Sequence, residues 1–126
     1  MRLLFALCAA NGFLAVLLGA FGAHGLRARF AGVPDAVKRL EWWQTASSYH
    51  LVHALAIGLA AVLAARTGST VASAAGYAFT GGILLFSGSL YVMTLTGVRA
   101  LGAVTPLGGL ALLGGWACLF VASLKA

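Results

Sequence analysis

Four apolar runs of about 20 residues or more, joined by brief polar links, constrain this chain more than any other feature. They cover roughly residues 3–23, 46–65, 72–95 and 101–124. About 20 apolar residues are what an α-helix needs to cross the hydrocarbon of a bilayer. Within lipid each backbone N–H and C=O needs an internal partner, which leaves helices or closed barrels. A barrel would show segments of about ten residues alternating apolar and polar side chains, and this chain has none. The expected class is therefore all-α: an integral membrane four-helix bundle in one domain spanning residues 1–126.

Composition closes the soluble alternative. Of the 126 residues, 62% are hydrophobic and 8% charged, against about 25% charged in a typical soluble domain. A water-soluble fold this small cannot hide that much apolar surface. Cys8 and Cys118 both lie within apolar runs, form no CxxC pair, and read as small buried hydrophobes. The first run is longer than the apolar core of a signal peptide and carries its own packing stripe, so it is expected to stay as a span.

The links differ in kind. Residues 66–70 and 96–99 are short and force antiparallel neighbours. The first link, residues 25–45, is longer and holds Arg27, Arg29, Lys38 and Arg39 together with Asp35 and Glu41, six of the ten charged residues. Pro34 followed by Asp35 has the look of a helix start. No breaker follows until Gly58, so one helix is expected from about Pro34 to Ala65, its first turns forming an amphipathic, charged extension and Trp42 and Trp43 marking the interface. The net +6 is scattered between spans. It suits anionic lipid headgroups near Arg27, Arg29, Lys38 and Arg39 rather than nucleic acid. With Arg99 this end counts five cations against Arg2, Arg66 and Lys125 at the other. The positive-inside rule then favours both termini outside.

Small residues recur at helical spacing. Cys8, Gly12, Ala15, Gly19 and Gly22 share one face of the first run. Gly108, Ala111 and Gly115 repeat the device in the fourth, with Gly114 and Cys118 on a neighbouring face, and Gly81, Gly82 and Gly88 supply the third. Helices in lipid associate by close packing, which small faces permit. Thr105-Pro106 is expected to open the fourth membrane helix.

Polar groups within a bilayer are functional suspects by default. The second run carries the stripe Trp43, Ala46, His50, His53, Ile57, with Tyr49 adjacent, and His24 closes the first run. Ser87, Tyr91 and Thr94, with Ser89 nearby, form a hydroxyl face on the third, and Asn11 is an interhelical hydrogen-bonding candidate. Three roles compete for His24, His50, His53, Tyr49, Ser87 and Tyr91. They are structural bonding between helices, proton handling, and ligation of metal or haem by the three histidines. Glu41 is nine residues from His50, about 13.5 Å along the axis, too far to complete a ligand set. The structural role is favoured, and no cofactor is expected. No nucleophile elbow, phosphate loop, dinucleotide fingerprint or HExxH is present, so no enzymatic activity is expected.

Leu18-Gly19-Ala20-Phe21-Gly22-Ala23-His24-Gly25-Leu26, Trp43-Gln44-Thr45-Ala46, Tyr49-His50 with His53-Ala54-Leu55, Leu85-Phe86-Ser87-Gly88-Ser89-Leu90-Tyr91, residues 101–109 and Gly115-Trp116 occur in that order. Together they resemble the YgdD/YwdK-like family of small bacterial inner-membrane proteins, a domain of unknown function. The resemblance covers almost the whole chain and implies a four-helix, multi-pass protein of the bacterial inner membrane. It supplies no activity. Within it His24 and His53 fit the pattern best, and His50 is replaceable in some relatives. The reading that follows is a structural or accessory membrane protein that self-associates or packs in a larger complex. The alternatives are a small transporter, channel or proton-linked protein, and a metal- or haem-binding redox subunit.

Overall fold

The computed structural model describes all residues from Met1 to Ala126. It has no strands and four helices long and apolar enough to cross a membrane: α1 (Arg2–Arg29), α2 (Ala36–Thr67), α3 (Thr70–Thr96) and α4 (Thr105–Leu124). A 3₁₀ turn, Arg99–Ala103, leads into α4. Pro106 sits in the first turn of that helix, as expected, where its missing N–H costs nothing.

The links are shorter than the sequence suggested. Only Gly68 and Ser69 separate α2 from α3. Gly68 ends α2 in the left-handed conformation, its N–H bonded to the Ala64 carbonyl at 2.8 Å, and the Ser69 hydroxyl accepts from the Ala72 N–H at 3.1 Å. The first link shrinks most. In place of a connection over residues 25–45, α1 runs on to Arg29 through a wide π-type turn at Gly22–Leu26. Gly25 keeps a helical backbone, and the break comes at Gly32, whose φ is +83°. A glycine marks a helix end only where the chain takes a positive φ, and sequence cannot tell Gly25 from Gly32 in that respect. Pro34 likewise lies in the turn, and α2 starts two residues after it, at Ala36.

The helices run up-down-up-down. α2 and α3 pack as a central pair, α1 lies along α2, and α4 lies along α3. α1 and α4 thus sit at opposite edges. Each touches the far member of the central pair only briefly: Leu4 of α1 presses on Gly76 of α3, and α4 meets α2 where Trp116 bonds His53 and where Ala122 and Ala64 share a small core with Ala72. The share of buried residues in each span follows this order. It is 44% in α2 and in α3, 28% in α4 and 11% in α1. The main core joins Leu4, Ile57, Phe79, Ile83, Leu112 and Leu119 across all four helices.

Glycine notches set the spacing. A Cβ on Gly108 would collide with the Phe86 backbone, and one on Gly115 would come within 2.6 Å of the Phe79 ring. A Cβ on Gly22 would run into the Trp43 ring, and one on Gly19 would touch Ser47. Ala15 is buried. Gly12 departs from its expected role, since a side chain there would meet nothing within 4 Å, and the same holds for Gly81 and Gly114. Periodicity alone put them on packing faces. In spans apolar all round, it does not say which small face turns to lipid.

Candidate functional site

The stripe on α2 is the polar spine of the molecule. Trp43, Ala46, His50, His53 and Ile57 are all buried, as 3.6-residue spacing predicts. Trp43 is therefore no interface anchor. Its indole N–H donates to the Leu18 carbonyl of α1 at 2.7 Å, and its ring packs 4.6 Å from that of Tyr91.

His50 ties three helices together. Its Nδ1 lies 3.0 Å from the Tyr91 hydroxyl of α3, and its Nε2 lies 3.0 Å from the Asn11 Oδ1 of α1. The Asn11 amide donates to the Leu7 carbonyl at 2.8 Å, which fixes Oδ1 as the atom facing His50. His50 must then donate from Nε2, and in the neutral ring Nδ1 accepts from the Tyr91 hydroxyl. Each of its nitrogens is used.

His53 adopts the other tautomer. The Trp116 indole, which can only donate, gives its N–H to His53 Nε2 at 3.0 Å. Nδ1 therefore carries the proton and donates it to the Tyr49 carbonyl one turn back, at 2.7 Å. A proton added to Nε2 would set two N–H groups against each other and break the link between α2 and α4. Phe79 packs on both rings, its centroid 5.7 Å from His53 and 5.1 Å from Trp116.

The remaining candidates divide. Ser87 donates across the central pair to the Ala46 carbonyl at 2.8 Å. The Tyr49 ring stacks on His53 and on Phe86 but faces outward, 45% exposed. Ser89 bonds Thr105 at 2.6 Å and joins α3 to α4. His24 is exposed and takes no part. The contacts of Gly22 with Trp43, Gly19 with Ser47 and Gly58 with Cys8 set the α1–α2 register, which puts His24 level with residues 41–42. That is about 12–13 Å along the axis from His50. The three histidines do not converge, and no three His, Cys, Asp or Glu side chains meet in a set able to hold a metal.

At the basic end, Arg39 is turned inward. Its Nε donates to the Thr94 carbonyl at 2.8 Å, at the C-terminal end of α3, and the Thr94 hydroxyl lies 3.1 Å from the Arg39 carbonyl. Asp35 at 3.7 Å and the Phe30 ring at 4.6 Å complete its surroundings. Of the four cations expected to meet headgroups, Arg27, Arg29 and Lys38 are exposed and Arg39 is not free to do so. Arg99 lies over Trp42.

This geometry belongs to a known group. Residues 18–109 match the family described as "Protein of unknown function (DUF423)". The chain is 44% identical over 126 residues to the UPF0382 membrane protein YwdK of Bacillus subtilis (strain 168), covering 99% of this chain and 98% of that protein. It is 38% identical over 125 residues to the UPF0382 membrane protein SAB0533 of Staphylococcus aureus (strain bovine RF122 / ET3-1), with the same coverage. The chain belongs to this family. It is a membrane protein of a family of uncharacterised bacterial membrane proteins, as the resemblance in the sequence implied. No solved structure matches it.

Among the site residues, sequence reading found His50, His53, Tyr91 and Asn11 as polar groups needing partners. It missed that Trp116 holds His53 and that Arg39 holds Thr94. Trp116 stood in the family pattern beside Gly115, but nothing in one helix's spacing says which way an indole N–H points.

Proposed function

We propose that this protein is a non-enzymatic structural or accessory component of the bacterial inner membrane, acting by self-association or by packing into a larger membrane assembly. The observation that carries this reading is how its intramembrane polar groups are used. Every buried side-chain nitrogen and oxygen is hydrogen-bonded within the chain, and both ring nitrogens of each histidine are engaged, three of the four bonds joining α2 to another helix and the fourth, from His53 to Tyr49, orienting the ring from within α2. Such groups specify a packing arrangement. The outer face of α1 supplies the surface for a neighbour. Gly12, Phe13, Val16, Leu17 and Ala20 line a shallow apolar recess there, and Gly12 at one end of it has open space before it.

The test is the oligomeric state of the full chain in liposomes, read by energy transfer between labelled copies at decreasing protein-to-lipid ratio. Gly12→Leu is expected to weaken transfer severalfold while leaving thermal unfolding of the single chain in place. Undiminished transfer in Gly12→Leu, or its absence in the unaltered protein with no partner retained on gentle extraction, overturns the reading.

Proton handling has one observation in its favour, the run from Tyr91 through His50 to Asn11. That run ends on the Leu7 carbonyl, inside α1, and does not continue to His53, whose nitrogens bond elsewhere. Structural bridging accounts for each of these contacts without a moving proton.

A further inference from the structure

The cleft between α2 and α4 at the end away from the basic link is built differently from the rest of the surface. α2 and α4 run in the same direction on either side of α3 and touch at His53 and Trp116. Their cleft holds a groove of about 570 Å³ walled by Leu59, Leu63 and Leu119, with Arg66 at its rim. A second recess, on Leu59, Trp116, Leu119 and Phe120, continues it inward to the Trp116 ring. Behind the groove, α2, α3 and α4 close on Ala64, Ala72 and Ala122.

We infer that this cleft is a binding site for one anionic phospholipid, with an acyl chain along Leu59 and Leu119 and the phosphate on Arg66. Depth is the first argument. From the level of His53 to Arg66 is thirteen residues of α2, about 20 Å at the helical rise. Half a bilayer's hydrocarbon is about 15 Å, so a chain ending near Trp116 puts its glycerol and phosphate at Arg66. Charge is the second. Arg66 is exposed and makes no ion pair, either with an acidic side chain or with the terminal carboxylate of Ala126 at the same rim, since the only ion pair in the structure is Arg39 with Asp35. The rim hydroxyls are already used, Thr67 donating to Leu63 and Ser123 to Phe120, each at 2.7 Å. The guanidinium is left as the free polar group facing the groove, and it prefers a planar or tetrahedral oxyanion. This site lies at the opposite end from Arg27, Arg29 and Lys38, and it is independent of self-association through α1.

Native mass spectrometry of the full chain in detergent, with dioleoyl phosphatidylglycerol or dioleoyl phosphatidylcholine added, tests the assignment. One phosphatidylglycerol is expected to bind about fivefold more tightly than phosphatidylcholine, the factor for one surface cation on an anionic headgroup. Arg66→Gln should remove that preference, Arg66→Lys should keep most of it, and Arg2→Gln, which removes an exposed cation at the same end on the outer helix α1, should leave it unchanged. Leu59→Trp, which fills the cleft, should weaken both lipids alike. Preference that survives in Arg66→Gln, or falls as far in Arg2→Gln, overturns the site. Displacement of the lipid by millimolar inorganic phosphate would make it a phosphate site instead and overturn the lipid assignment. So would a dimer that Leu59→Trp dissolves while lipid binding stays unchanged.

Discussion

The two outer helices are attached by different means. α4 meets α3 through notches too, Phe79 on Gly115 and Leu112 on Gly82, but it also comes backbone to backbone, with Gly108 against the main chain of Phe86 and the Ser89–Thr105 bond beside it. α1 meets α2 through side chains set into notches: the Trp43 ring over Gly22, Cys8 over Gly58, and hydrogen bonds from Trp43 and His50 to Leu18 and Asn11. A main-chain contact cannot yield by a rotamer change, whereas a side chain seated in a notch can. Hence α4 should behave as part of the rigid centre and α1 as an adjustable edge, consistent with its much smaller buried share. In lipid, where apolar burial does not drive helices together, this difference in approach decides which seam is strong.

The largest expected effect breaks the rigid seam. Gly108→Leu leaves no place for the side chain short of parting α3 from α4, and little folded protein is expected on extraction in mild detergent. Gly108→Ala, a single added methyl against the Phe86 backbone, should cost about 1–3 kcal/mol as overpacking does, read by unfolding in mixed micelles. Cys8→Leu at the other seam places its bulk near Gly58 but can turn toward lipid, so it should cost less. Equal losses at the two seams would remove the distinction.

A middle-sized effect comes from the histidines. His50→Leu strips partners from both Asn11 and Tyr91, on two helices. Each orphaned polar group costs about 1–3 kcal/mol when fully buried, less where membrane helices find substitutes. His53→Leu orphans one donor, the Trp116 indole, which lies at the surface. His50→Leu should therefore destabilise more than His53→Leu. Adding Asn11→Leu to His50→Leu should recover part of the loss, because removing both partners of a bond costs less than removing one. A double variant that loses the sum of the two single losses would show that the bond ties nothing together.

How much of this was legible follows from the same contrast. Spans were readable because length and apolarity alone decide them, and the α2 stripe because helical periodicity puts Trp43, His50 and His53 on one face. What joins one helix to the next was not. His50 reaches Tyr91 but His53 reaches Trp116, and the rotation of α4 that decides this is encoded in how Gly108 and Gly115 seat, not in any one segment. The reading of Trp43 as an interface anchor failed for a related reason. A tryptophan near a span's end suits the headgroup region, but Gly22 on the facing helix opened a slot for the ring and Leu18 supplied a carbonyl for its N–H.

Glycine gives the smallest and sharpest test, because the same residue type plays two parts here. Gly81 sits inside α3 with a helical backbone, and a methyl group there would touch nothing. An interior helical glycine costs about 0.5–1 kcal/mol relative to alanine through backbone entropy. If Gly81 has no packing role, Gly81→Ala should raise stability by up to that amount, and the change should be independent of protein-to-lipid ratio. A loss in the isolated chain would mean that α3 packs more tightly at this point than the structure shows. A loss only at high protein-to-lipid ratio would place Gly81 at a contact between copies, adding a surface on the central pair to the one on α1 and ending the division between a rigid centre and an adjustable edge.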